Sequence, residues 1–319
     1  MIINHNSEKI RYTGRWNVGE KGARSTANGS YFEFGFSGEC AVIGFDISYC
    51  RVPFPHVYIS VDDGAKIEVT IDRFVRISAD AGEHKVMVIM KSSVEDQHRW
   101  FSPIESGVSL LDIEADGFID LSEDTRPVVE FIGDSITEGI SIDVRYFNYG
   151  GNKDMIYWDD ATAGYAWLTA KKLDFRPVIM GYGGLGTTRG GLGGVPCVGE
   201  SYKYYSDGYL MESFGADYIV INHGTNDWGA EKEVFEEKYY KFLELVRKRN
   251  PLSKIIALTP FSGSRAKEIK MVTERFNTEK NDSVFYIDST GWISPEPIHP
   301  TREGHKTVSE KLSEIIRKL

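Results

Sequence analysis

The sequence predicts two dissimilar parts: an all-β front, residues 1–122, and an α/β back, residues 128–319. Three observations carry this. The front repeats short apolar stretches between turn signals and shows no amphipathic helix. The back alternates short apolar runs with helical stretches. Between them, Leu121–Pro127 is polar and ends in proline, as a linker does. The length of 319 residues is comfortable for two domains.

In the front, the expected strands are 31–36, 41–47, 56–61, 66–71 and 84–90. Several alternate apolar and polar residues, the pattern of a strand buried on one face. Asp62-Asp63-Gly64 reads as a hairpin turn between two of them. A β-sandwich of jelly-roll type is the expectation. In the back, apolar runs at 128–132, 177–180, 218–221, 254–258 and 284–287 read as strands. Helical stretches are expected at 161–173, 231–249, 265–278 and 301–318. Strands alternating with helices imply a parallel sheet covered on both faces.

Composition narrows the function classes. The net charge of −10 disfavours nucleic acid and anionic membranes as partners, since both reward clustered Lys and Arg. No apolar run approaches the length of a membrane span. Cys40, Cys50 and Cys197 have no metal-binding spacing and cannot all pair with one another, so buried free thiols are expected. The start of the chain lacks the features of a secretion signal, which predicts a cytoplasmic protein, or a secreted one whose signal has been removed.

Open parallel sheets build their sites at the carboxyl ends of strands. Four segments lie at such positions. In the first, Ser135 follows the first back strand in Gly133-Asp134-Ser135-Ile136-Thr137-Glu138-Gly139. A serine at a helix start has free backbone N–H groups nearby, which suit a developing oxyanion. On this segment alone a plain helix cap is an equal alternative. In the second, Gly181-Tyr182-Gly183-Gly184-Leu185-Gly186 formally matches a dinucleotide fingerprint. That motif needs an acidic residue ending the next strand about 20 residues on. Asp207 has the spacing, but 201–207 does not read as a buried strand. A backbone donor to an oxyanion and an ordinary glycine loop are the other uses.

In the third segment, Asn226 of 221–228 offers a side-chain N–H donor, or else an Asx turn. The fourth places His299 between prolines before the last helix. Serine needs a neighbouring base, and histidine is the usual one. Glu296, three residues earlier, is a candidate to orient the imidazole, or else a solvated loop carboxylate. His305 falls inside the last helix and is expected to be structural.

Together the four segments resemble the four sequence blocks of the SGNH (GDSL-type) hydrolases, from Val128 to the C-terminus. The resemblance implies a flavodoxin-like parallel sheet, with Ser135 as nucleophile and His299 as general base. It implies an oxyanion hole of the Ser135 N–H, the Gly183 N–H and the Asn226 side chain. The family usually has aspartate where this chain has Glu296. A backbone carbonyl is the alternative orienting group, leaving a Ser-His dyad. In the front, Ile10–Trp16, Gly29–Gly38, Val57–Gly64 and the run from Gly82 resemble the β-sandwich that precedes an SGNH domain in carbohydrate esterase family two. The tryptophan-proline usual before the Gly-Ser pair is replaced by Thr26-Ala27-Asn28.

The resemblance implies an esterase that removes acetyl groups from carbohydrates through an acyl-enzyme, with no metal and no organic cofactor. Trp228, next to the third block, is a candidate platform for a sugar ring, or else a core aromatic. A lipid esterase or thioesterase of the same superfamily is the first alternative. A carbohydrate-binding protein with an inactive hydrolase half is the second.

Overall fold

The computed structural model describes residues 1–143 and 155–319. Among these, a nine-stranded antiparallel sheet holds the front and a five-stranded parallel sheet holds the back.

The front sheet runs Asn17–Gly19, Gly22–Ser25, Val108–Ile119, Tyr31–Phe45, Phe74–Ser92, His56–Val61, Ile67–Thr70. Ile2–Asn4 adds to Val108–Ile119 and Ile10–Thr13 to Tyr31–Phe45. Two expected strands, 31–36 and 41–47, are one strand whose register shifts between Gly38 and Cys40. Phe32, Phe34, Phe36, Ile43 and Phe45 fill the sheet's own core, with Val86 and Val88 opposite. The other face of the same strand is buried as well. Tyr31 packs its ring 5.6 Å from Trp167 of the back, and Glu33 is neutralised by Arg11 at 2.8 Å and Lys85 at 2.9 Å. Burial on both faces is why Tyr31–Phe36 reads as nearly unbroken apolar sequence. The strand Val108–Ile119 was not among the expected ones, and Phe74–Ser92 is longer than expected. Charged residues on their exposed positions hide both. Asp62 and Asp63 both take positive φ, at 52° and 56°, and Gly64 N–H returns to the Val61 carbonyl at 2.9 Å, which is the expected hairpin turn.

The back sheet runs Arg176–Gly181, Val128–Gly133, Tyr218–Asn222, Lys254–Leu258, Phe285–Ile287, all parallel. In chain order this is 2-1-3-4-5, the flavodoxin-like order, whose crevice opens where the winding reverses at the first and third strands. All five strands match the expected runs. Helices Lys232–Arg249 and Ala266–Lys280 cover one face through Phe235, Tyr239, Leu243, Ile269 and Phe276. Tyr165–Leu173 and Arg302–Ile316 cover the other through Tyr165, Ala166, Val308 and Leu312. Each fully buried aromatic or aliphatic side chain of this kind contributes about 1.5–3 kcal/mol.

The three cysteines are unpaired but half-exposed rather than buried, because each lies at a strand bend or in a loop. The formal dinucleotide match finds no partner strand. Tyr204–Ser206 pairs with Tyr209–Leu210 in a separate two-stranded hairpin outside the parallel sheet.

Candidate active site

Ser135 opens a four-residue helix, Ser135–Glu138, directly after the strand Val128–Gly133. Asp134 caps it, accepting the Ile136 N–H at 3.0 Å. The turn is tight enough to exclude any side chain at 133. A Cβ there would stand 2.0 Å from Thr137 Oγ1 and 3.0 Å from the Asn222 carbonyl. The strand-to-helix turn therefore holds Ser135 at the carboxyl end of the sheet, 8% exposed. No described residue accepts a hydrogen bond from its backbone N–H, as expected at a first helical turn.

His299 arrives from the loop before Arg302–Ile316, and its Nε2 stands 2.8 Å from Ser135 Oγ. Burial pulls the imidazole down to about 4, so at neutral pH it is uncharged. An uncharged ring whose Nε2 faces a hydroxyl can accept its proton. The helix that follows is capped by Thr301, which accepts the Gly304 N–H. His305, one turn in, is buried, and its Nδ1 accepts the Tyr165 N–H at 3.0 Å. It joins the two helices on one face of the sheet, a structural use.

Asn226 is brought to the serine turn through Asp134. Its side-chain nitrogen donates to Asp134 Oδ2 and to the Leu185 carbonyl, both at 3.1 Å. Burial pushes the Asp134 carboxyl up to about 7. The neighbouring Asp227 holds the glycine loop instead, accepting the Thr187 N–H at 3.0 Å and the Thr188 N–H at 2.7 Å. Gly183 lies on that loop, with its N–H toward the buried Glu138 carboxylate. The third block thus positions the first and the second. Trp228 is 78% exposed, so it is not a core aromatic, and it stands at the surface two residues beyond Asn226.

Glu296 is not brought to His299. Its carboxylate is exposed, and the low ionisation of His299 is set by burial with no contribution from the Glu296 charge. The loop is fixed instead by its backbone: Ser294 Oγ accepts the Glu296 N–H at 3.2 Å and donates to the Glu296 carbonyl at 2.6 Å. The three-residue spacing is present, but the local turn directs the side chain to solvent.

Three residues that sequence reasoning did not single out come from the front. Arg99 is fully buried and pairs with Glu138. Asn28 donates to the same carboxylate at 2.9 Å and accepts from Ser93 Oγ at 3.0 Å. Glu95, on the same loop as Arg99, reaches the Gly183 backbone. Nothing local marks them. Arg99 sits in a polar loop, Asp96-Gln97-His98-Arg99, which reads as solvated.

The sequence model of the GDSL-like Lipase/Acylhydrolase family matches residues 131–307, more than half of the chain. A protein named acetylxylan esterase / glucomannan deacetylase, from Cellvibrio japonicus (strain Ueda107), is 22% identical over 255 residues, 75% of this chain and 68% of its own length. The structure of a family two carbohydrate esterase from Cellvibrio japonicus superposes with a TM-score of 0.82 at 19% identity, covering 100% of this chain and 97% of that one. A family two carbohydrate esterase from Clostridium thermocellum, in complex with cellohexaose, gives 0.78 at 20% identity, covering 97% and 98%.

Proposed function

The chain belongs to the GDSL-like lipase/acylhydrolase family, and from that premise we propose that it is a serine esterase that removes acetyl groups from carbohydrates. The observation that carries the proposal is the 2.8 Å contact between Ser135 Oγ and His299 Nε2 at the carboxyl end of the parallel sheet. Ser135 attacks the acyl carbonyl as His299 takes its proton, and the carbonyl oxygen becomes an oxyanion. The C–O bond to the sugar breaks, and His299 returns the proton to the departing hydroxyl. Water then attacks the acyl-serine by the same route, releasing acetate.

The oxyanion donors in this reading are the Ser135 N–H, the Gly183 N–H and the Asn226 amide. The Ser135 N–H is unclaimed by any described residue. Asn226 exchanges one of its two resting partners, Asp134 or the Leu185 carbonyl, for the oxyanion. Acetylated carbohydrate as substrate is supported by two of the similar proteins, one named for acetylxylan and glucomannan, the other holding cellohexaose. In the same reading, residues 1–122 form a jelly-roll-type accessory domain and 128–319 the catalytic domain.

Ser135→Ala and His299→Ala each lower release of acetate from acetylated oligosaccharides by on the order of 10⁴-fold or more, with the fold intact by circular dichroism. Near-normal turnover by either variant overturns the mechanism. An acyl-chain series tests the substrate class. A rate that rises with chain length assigns the site to lipid esters instead.

A further inference from the structure

The loop that joins front strands Phe74–Ser92 and Val108–Ile119 does not stay with its own sheet. It is clasped by the glycine loop of the back, where the Gly193 carbonyl accepts the Arg99 N–H at 2.9 Å. Glu95 lies on this docked loop, half-buried. Its carboxyl lies directly over the Gly183 backbone: a Cβ added at Gly183 would stand 1.7 Å from Glu95 Oε1. Among the described residues nothing hydrogen-bonds or ion-pairs with that carboxyl. It is a polar group held at the oxyanion loop by a rigid attachment, with its bonding capacity unspent.

Its surroundings decide which form it takes. Glu138 faces it from the short helix, Asp134 from the serine turn, Asp96 from its own loop, and Asp159 from the segment that follows Met155–Trp158. Among the described residues the cation acting on it is Arg99, which is committed to Glu138. Burial and then the Glu138 charge hold the Glu95 carboxyl well above the usual carboxylate range. A neutral carboxyl has one O–H to donate.

We propose that Glu95 is a further substrate-contacting residue of this site, delivered by the front sheet, whose carboxyl hydrogen-bonds the bound ester beside Gly183. This rests on the esterase reading of Ser135 and His299. It gives the front sheet a direct part in the chemistry, beyond packing or carbohydrate capture. It also accounts for glycine at 183, where a Cβ would meet the Glu95 carboxyl.

The experiment is a pH series of kcat/KM for acetate release from an acetylated oligosaccharide by the full chain. Each variant is first checked for wild-type circular dichroism and melting. The protonated form is the active one, so wild-type kcat/KM falls as pH rises through the Glu95 ionisation. Glu95→Gln keeps a donor that cannot ionise, so it retains most activity and loses this alkaline limb. Glu95→Ala loses about tenfold or more at neutral pH. Wild-type kcat/KM in Glu95→Ala, or an unchanged alkaline limb in Glu95→Gln, overturns the proposal. Acetate release by a Ser135→Ala control sinks the esterase reading and this one with it, and is distinguishable because Glu95 is then intact.

Discussion

The back sheet carries Ser135 and Asn226 on turns that leave adjacent parallel strands, each within a few residues of its strand end. The front sheet carries Asn28, Glu95 and Arg99 on loops that cross to the same place, and Asn28 meets a carboxylate 110 residues away. Ser135 Oγ makes its one described contact with the neutral His299, and removing it leaves no buried charge without a partner. Arg99 is enclosed with Glu138, and removing it leaves a carboxylate buried beside Glu95 and Asp159. The two regions therefore fail differently. On the proposed mechanism, loss on the back side is expected to be a loss of chemistry at nearly constant stability. Loss on the front side is a loss of stability that carries the site down with it.

Arg99→Ala is the hardest blow to that contrast. Breaking a buried pair by removing one partner costs about 3–5 kcal/mol. The midpoint of urea unfolding should fall accordingly, whereas Ser135→Ala should leave it within about 0.5 kcal/mol. A Ser135→Ala variant destabilised as much as Arg99→Ala would erase the distinction between the two regions. The Glu95 series sharpens the same contrast, since it asks for one front residue that fails in the manner of the back.

A smaller effect is expected at Trp228. Its ring is exposed beside the third block and packs in neither core. If it stacks on sugar, Trp228→Ala raises KM for an acetylated oligosaccharide by about 5- to 150-fold, from the ~1–3 kcal/mol of an aromatic stacking contact. It leaves hydrolysis of a small aryl acetate near wild type. Equal KM for the two forms on the oligosaccharide removes Trp228 from the substrate path.

This asymmetry also explains what could be read from the chain. The parallel strands are buried on both faces, so they appear as short unbroken apolar runs, and the segments that follow several of them hold the proposed site residues. Local sequence is then sufficient to locate Ser135, Asn226 and His299. The front residues meet the site only through tertiary docking. Arg99 and Glu95 lie in a polar loop that looks solvated until the glycine loop of the back closes over it. Val108–Ile119 went unread because its exposed positions carry Asp and Glu, which mask a strand central enough to pair with three others.

The smallest expected effect belongs to Glu296, and it is the most discriminating. Spacing to His299 matches that of an orienting acid, but the carboxylate is exposed and the adjacent backbone is tied down through Ser294. An orienting carboxylate stabilises the imidazolium that forms during attack, and its neutralisation lowers the rate by orders of magnitude, up to about 10⁴-fold in the Ser-His-Asp case. A solvated one contributes nothing comparable. Glu296→Gln should therefore leave kcat/KM within about twofold of wild type, well below that scale. The acid limb of its pH profile should stay where the low ionisation of His299, about 4, puts it. A large rate loss, or an acid limb displaced in Glu296→Gln, would mean that the loop turns Glu296 inward when substrate binds. The Ser135–His299 pair would then act as a triad, and the resting position of the side chain would be only one of two.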